Sequence, residues 1–144
     1  MADPTETPPA LLELTTYLLS KVGKDARNRL AELLAADGLR LHHHAALAAL
    51  ADFGPHTQRD LAVRLRLDPS DLAKAADQLA AAGWLDRTRD AADRRRLTLS
   101  LTPAGAARLA DLDTLAREVQ NDVLAPLAPA ERATLHGLLL RLHR

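Results

Sequence analysis

The segment from Trp84 to Thr102 constrains the fold more than any other part of this chain. Two short runs with strand-like alternation flank a polar tip crowded with arginine and aspartate, a pattern that predicts a β-hairpin with a charged loop. An isolated hairpin is marginally stable in water and needs a surface to pack on. Helical patterns fill most of the remaining chain, so the hairpin must rest on helices.

Composition bounds what those helices do. With 144 residues, the chain has room for one domain with a respectable core, or for a small domain with helices extended for pairing. Hydrophobic residues make up 47% but aromatics only 2%, which leaves a core of leucine and alanine and favours closely packed helices. Formal net charge is zero, so any nucleic-acid site must be a local patch rather than a uniformly basic surface. With no cysteine, disulfides, thiolate metal sites and thiol redox sensing are excluded. The opening residues Met1 to Pro9 have neither a basic start nor an apolar core and are not expected to act as a signal peptide. No run is long enough to span a bilayer, and a cytoplasmic location with no membrane partner is expected.

Residues 1–9 are expected to form a flexible lead-in. From Ala10 to about Ala36, apolar residues recur every three or four positions and predict one long amphipathic helix, ended by Asp37-Gly38. An alanine-rich helix from about Leu41 to Phe53 opens with His42-His43-His44 and closes at Gly54-Pro55. Thr57 caps a predicted helix from Gln58 to about Leu65, with Leu61, Ala62 and Leu65 inward. Asp68-Pro69 starts another that runs to Ala82 and stops at Gly83, with Leu72, Ala76, Leu79 and Ala80 inward. After the hairpin, Thr102-Pro103 begins a helix to about Leu124, and Pro129 begins the last. Residues 37–103 therefore read as a helix-turn-helix lobe with a hairpin, and residues 10–36 and 104–144 as a helical dimerisation region, because those helices carry more apolar surface than the lobe can cover.

Two short helices followed at once by a hairpin with a basic tip make a winged helix-turn-helix, mostly α with a small β wing. In that arrangement the second helix of the pair enters the major groove of DNA, and the hairpin reaches the adjacent minor groove. Arginine suits a narrow minor groove, where the negative potential is enhanced.

The residues Gly83-Trp84-Leu85-Asp86-Arg87, Asp90, Asp93-Arg94-Arg95 and Leu99-Ser100-Leu101-Thr102 with Gly105 resemble the signature of the MarR (multiple antibiotic resistance regulator) family of bacterial transcription factors. The layout from about Ala10 to Arg144 fits the same family. The resemblance implies a homodimer with interlocking terminal helices, binding a pseudo-palindromic operator on double-stranded DNA, usually as a repressor. It also implies a small-molecule effector, often a phenolic or aromatic acid, held between the dimerisation helices and the lobe. In the family's wing motif an aspartate steadies the arginine that enters the minor groove; these positions are Asp93 and Arg95 here. Arg94 and Arg96 would be phosphate contacts beside it.

The recognition helix departs from the family pattern, with Ala73-Lys74 where threonine-arginine is common. Over Asp68 to Ala82, three aspartates face one lysine, and that surface should repel phosphate. Base reading is assigned to Ser70, Lys74 and Gln78, and Asp71 is a candidate acceptor for a cytosine amino group. Backbone affinity is then expected from Arg59, Arg64, Arg66, Arg87 and the wing.

Three readings stand for His42, His43 and His44: surface or partly buried residues at a helix start, ligand-pocket groups, or metal ligands. Successive helical residues point about a third of a turn apart, so the three cannot all face one ion. No cofactor is expected. Tyr17, the single tyrosine, is either packed in the core or an interface or a pocket residue, and Trp84 is expected to anchor the hairpin to the recognition helix. His56, His136 and His143 read as structural or exposed. No phosphate-binding glycine loop, nucleophile elbow or zinc-protease motif is present, so enzymatic activity is not expected. The rival readings are a winged-helix protein-interaction module without DNA binding, favoured by the acidic helix, and a metal-responsive regulator using the histidine triple.

Overall fold

The computed structural model describes residues 1 and 3–143; Ala2 of the expected lead-in and Arg144 of the expected C-terminal helical segment lie outside the described residues. In chain order the elements are α1 (Pro9–Leu12), α2 (Thr15–Ala35), α3 (Leu41–Phe53), β1 (His56–Thr57), α4 (Gln58–Leu65), α5 (Pro69–Ala81), β2 (Leu85–Arg89), β3 (Leu97–Leu101), α6 (Pro103–Val123) and α7 (Pro129–Leu142). The protein is mostly helical with a small antiparallel sheet, strand order β1-β3-β2.

Two elements differ from the sequence expectation. The single helix expected from Ala10 is interrupted: α1 is one turn, Pro9–Leu12, capped at Glu13, and α2 begins at Thr15. Adjacent β-branched threonines, Thr15 and Thr16, sit at the break, where one turn of helix has few hydrogen bonds to carry it forward. The hairpin also gains a third strand, since His56 pairs with Leu99 and Thr57 with Thr98. Two residues show no readable alternation, so only the sheet partner defines β1.

The chain forms two compact units, residues 31–116 and residues 1–30 with 117–144. In the first, α3, α4 and α5 pack on one another and on the sheet. The interior is leucine and alanine: Leu47, Leu61, Leu72, Leu79 and Leu99 are fully buried, with Ala46, Ala49, Ala62, Ala75 and Ala76 between them. Leu65 and Ala80, expected inside, are half-buried.

Local signals start and stop these helices as the sequence indicates. The Thr57 hydroxyl accepts from the Asp60 amide, and the Asp68 carboxylate accepts from the Ser70 amide. At the end of α5, the Gly83 amide donates to the Ala80 carbonyl and the Trp84 amide to that of Leu79, the Schellman pattern, with Gly83 at φ +79°. The chain leaves α5 directly into β2. Gly105, in the first turn of α6, meets the same junction from the other side. A Cβ built there would overlap the Trp84 carbonyl, whose oxygen accepts from the Thr102 amide.

One polar side chain enters this apolar interior. His43 is 1% exposed. Its Nδ1 accepts from the Arg40 amide at 2.8 Å, closing a capping box at the start of α3. Its Nε2 lies 2.6 Å from Oε1 of Gln78 on α5. Both ring nitrogens are used, which removes the cost of burying an unpaired polar group. Burial, reinforced by the charges of His42 and Arg40, holds its pKa below 6.5, although the bond to Gln78 pulls the other way.

The second unit is different in kind. α1 and α7 contain no buried residue, and Leu12, Leu14, Leu18, Leu138, Leu140 and Leu142 are 41–66% exposed. No described helix is long and apolar enough to cross a membrane.

Gly105→Ala should destabilise the protein by about 3 kcal/mol, because the new methyl group meets backbone rather than a side chain that can rotate away; chemical denaturation measures it. The folded state disfavours the His43 proton that the unfolded chain takes up as pH falls through 6.5. Stability is therefore complete above that pH and declines below it. Thermal unfolding at pH 7.5 and 5.5 should show this loss, and His43→Gln, which keeps a donor and an acceptor but does not titrate, should reduce it.

Candidate nucleic-acid interface

The wing is a pinned loop. At its base the Asp90 amide donates to the Arg96 carbonyl, and the Asp90 carboxylate accepts from the Ala92 amide at 2.8 Å. At its tip the Asp93 carboxylate accepts from the Arg95 amide at 3.0 Å, and the Arg96 amide donates to the Asp93 carbonyl. Arg89 Nη1 closes the loop on the Arg94 carbonyl at 2.7 Å.

Asp93 and Arg95 are thus joined, through the backbone of the arginine. The carboxylate holds the Arg95 backbone, not its guanidinium. An aspartate side chain reaches the amide two residues on and forms a turn of its own, which leaves the arginine head in solvent. Arg94, Arg95 and Arg96 are all exposed.

On α5, Ser70, Asp71, Lys74 and Gln78 are exposed, as a base-reading stripe requires. Two of them are already engaged. The Ser70 hydroxyl donates to Asp68 at 2.5 Å, and Gln78 is bound to His43. The acidity of the helix is also answered within the fold. Asp77 Oδ1 is paired with Arg87 Nη2 at 2.6 Å, across from β2. Strand register explains this: Leu85, Arg87 and Arg89 stand opposite Leu101, Leu99 and Leu97, so Arg87 shares a sheet face with buried Leu85 and Leu99 and is turned toward α5. Arg87, expected on the DNA backbone, is paired with Asp77 of the recognition helix. The surface is less repulsive than its formal charge suggests.

Arg59 of α4 lines the same groove as Arg95 and Arg96, about 870 Å³ in volume, with Pro69 of α5 at its edge and Asp60 and Asp93 as the acidic members. Arg64 is held by two groups. Its Nε donates to His56 Nε2 at 2.8 Å, while its guanidinium lies 4.0 Å from the centre of the Phe53 ring. His56 Nδ1 in turn donates to the Gly54 carbonyl at 2.7 Å. The terminal nitrogens of Arg64 remain available. Arg66 occupies the turn between α4 and α5 in the left-handed region, φ 54°, the one non-glycine residue to do so among those described. Its amide and that of Leu67 donate to Val63 and Ala62. An arginine where glycine is favoured puts a charge at the turn and stores local strain.

The histidine triple is divided by its helix. His43 is the buried tie already described. His44 Nε2 is 2.8 Å from Asp113 on α6, and His42 is half-buried with its ring 5.2 Å from that of His43. Among the described residues, no three histidine, aspartate or glutamate side chains converge on a point where they could hold a metal ion. Tyr17 is half-buried on α2 with the Lys21 ammonium 5.6 Å from its ring centre. Trp84 takes Arg108 of α6 over its ring at 5.2 Å.

Arg89 acts here without having been singled out from the sequence, and His56, read there as structural or exposed, orients Arg64. Arg89 shares the sheet face of Arg87, a signal that the alternation of β2 already carried. The hold of His56 on Arg64 had no signal, because it links separate elements.

Known proteins share this architecture. A family model for the MarR family matches residues 37–96, which span the helix pair and most of the wing. A protein assigned to transcriptional regulation of the hcr operon in Thauera aromatica is 34% identical over 112 residues, 78% of this chain and 68% of that protein. A crystal structure of a protein from Pseudomonas aeruginosa, assigned as a transcriptional regulator, is 33% identical with a TM-score of 0.74, covering 92% of this chain and 98% of that one. The PcaV transcriptional regulator of Streptomyces coelicolor, solved with its natural ligand, is 27% identical with a TM-score of 0.71, covering 95% and 96%. With winged-helix geometry and sequence likeness in agreement over most of its length, this chain belongs to the MarR family, whose members are transcription regulators rather than enzymes.

Proposed function

We propose that two copies of this chain form a homodimer that binds a pseudo-palindromic operator on double-stranded DNA and represses transcription until a small effector, a phenolic or aromatic acid, is bound. One observation carries the DNA-binding part: a wing tip pinned by Asp90, Asp93 and Arg89, with the Arg95 guanidinium in solvent. A preorganised loop loses little entropy when its arginine enters the minor groove. α5 lies in the major groove, presenting Ser70, Asp71, Lys74 and Gln78 to base edges. Arg59, Arg64, Arg66, Arg94 and Arg96 contact phosphates.

The homodimer is supported by the leucines of α1, α2 and α7. Side chains left 41–66% exposed on three helices make a surface that a second copy would bury. Symmetry then sets the recognition helices about one DNA turn apart, on successive major grooves. The effector reading has support from PcaV, a relative solved with its natural ligand. A ligand regulates only by binding better to the dimer whose helix spacing misfits the operator. Of the histidines named as pocket candidates, His43 and His44 already have hydrogen-bond partners, and the His42 ring has none among the described residues.

Binding to the DNA flanking the chain's own gene should weaken steeply as salt rises. Arg95→Ala should lower affinity by about 1–3 kcal/mol, and Asp93→Ala by less, since the latter loosens the turn but keeps the charge. Absence of binding at low salt would sink the reading in favour of a protein-interaction module. Sedimentation should give twice the 15.6 kDa chain mass, and Leu138→Glu with Leu142→Glu should shift the protein toward monomer.

A further inference from the structure

His43 makes the start of α3 and the side of α5 interdependent, and the protons at that junction have one consistent arrangement. The Arg40 amide always carries its hydrogen, so a 2.8 Å bond to His43 Nδ1 requires that nitrogen to be bare. A neutral imidazole with a bare Nδ1 carries its proton on Nε2. That proton then points at Gln78, 2.6 Å away, and only the amide oxygen can receive it. Burial at 1% exposure keeps the ring in place and disfavours a second proton.

The consequence falls on the opposite end of Gln78. A free glutamine reads adenine with both halves of its amide, donating to N7 and accepting from N6. Here the accepting half is turned inward. Gln78 lies on an exposed stripe with Ser70 and Lys74, four residues apart in each step, so it can present only its NH₂ group outward.

We propose that His43 is a specificity-determining residue acting through Gln78: it fixes the glutamine amide as a donor-only reader, which selects guanine or thymine at its operator position and disfavours adenine and cytosine. This rests on α5 being the helix that enters the major groove. Guanine offers N7 and O6 side by side and thymine offers O4, whereas adenine sets an unmet N6 donor against the glutamine donors and cytosine offers no acceptor.

Selection from a randomised operator library, followed by titration of single-base variants, tests the proposal. The wild-type dimer should prefer guanine or thymine by roughly tenfold over adenine and cytosine at one position per half-site. Gln78→Ala should remove the preference at that position alone. Gln78→Glu, which keeps an acceptor for His43 but presents a second acceptor outward, should turn it toward cytosine or adenine. His43→Leu frees the amide, and adenine should then be accepted as well as guanine. Should that variant fold poorly, the exposed Gln78→Glu exchange still decides the question. Nitrogen-15 NMR of the free protein gives a readout independent of DNA: the His43 proton is expected on Nε2.

A proton on Nδ1, a wild-type preference for adenine at the position that Gln78→Ala alters, or a Gln78→Ala selection identical to wild type would overturn the proposal while operator binding stands. Failure of the wild type to select any DNA would overturn it together with the reading it rests on.

Discussion

How closely three helices can approach one another is the constraint on which the 31–116 unit depends. Alanines at the contact between α3, α4 and α5 let the backbones come near enough for a few leucines to fill the space, without the aromatic bulk found in many cores of this size. Close approach has a cost in tolerance. There is little slack for a misplaced group, and the one polar residue admitted, His43, has both nitrogens bonded. The same economy of space recurs at the junction of α5, β2 and α6, where Gly105 lies against the Trp84 carbonyl. That junction sets where the wing stands relative to the recognition helix.

Charge is arranged on this frame rather than in the average composition. A net charge of zero conceals a wing and helix pair whose arginines are sorted by their partners. Arg87 and Arg89 are drawn into the fold, one neutralising Asp77 and the other closing the wing. Arg64 is oriented by His56 and Phe53 with its outer edge open. Arg59, Arg95 and Arg96 line one groove. The recognition helix, acidic on paper, has one of its aspartates, Asp77, neutralised by Arg87. In the proposed DNA complex, the wing and α4 would carry an unusual share of the attraction to phosphate, and α5 would contribute selection more than affinity.

The elements that the sequence placed well are those written in local chemistry. Thr57, Asp68 and Gly83 cap their helices through atoms a few residues away, Pro69 and Pro103 start helices because φ is already suitable, and the leucine spacing marks the buried face of α5. The MarR signature was legible for the same reason: a wing between a glycine stop and a proline start is a continuous stretch. Less was legible at the break between α1 and α2, where two threonines outweigh a good helical period, and at β1, two residues long and visible only through β3.

The sequence by itself therefore determined the order of the helices, the hairpin with its arginine tip, and the family. Those depend on interactions within one turn or one strand pair, which near neighbours fully specify. Only the tertiary structure decided which arginines remain free, that Asp93 holds a backbone amide instead of a guanidinium, and that a histidine triple read as one cluster separates into a core tie, a hydrogen-bond partner of Asp113 and a half-buried ring. Each of those outcomes turns on a partner in another element or across a loop, from 5 residues away for Arg89 to 69 for His44, or on which of two atoms an aspartate reaches first. Helical periodicity and strand alternation say which way a side chain points, but not what it meets there.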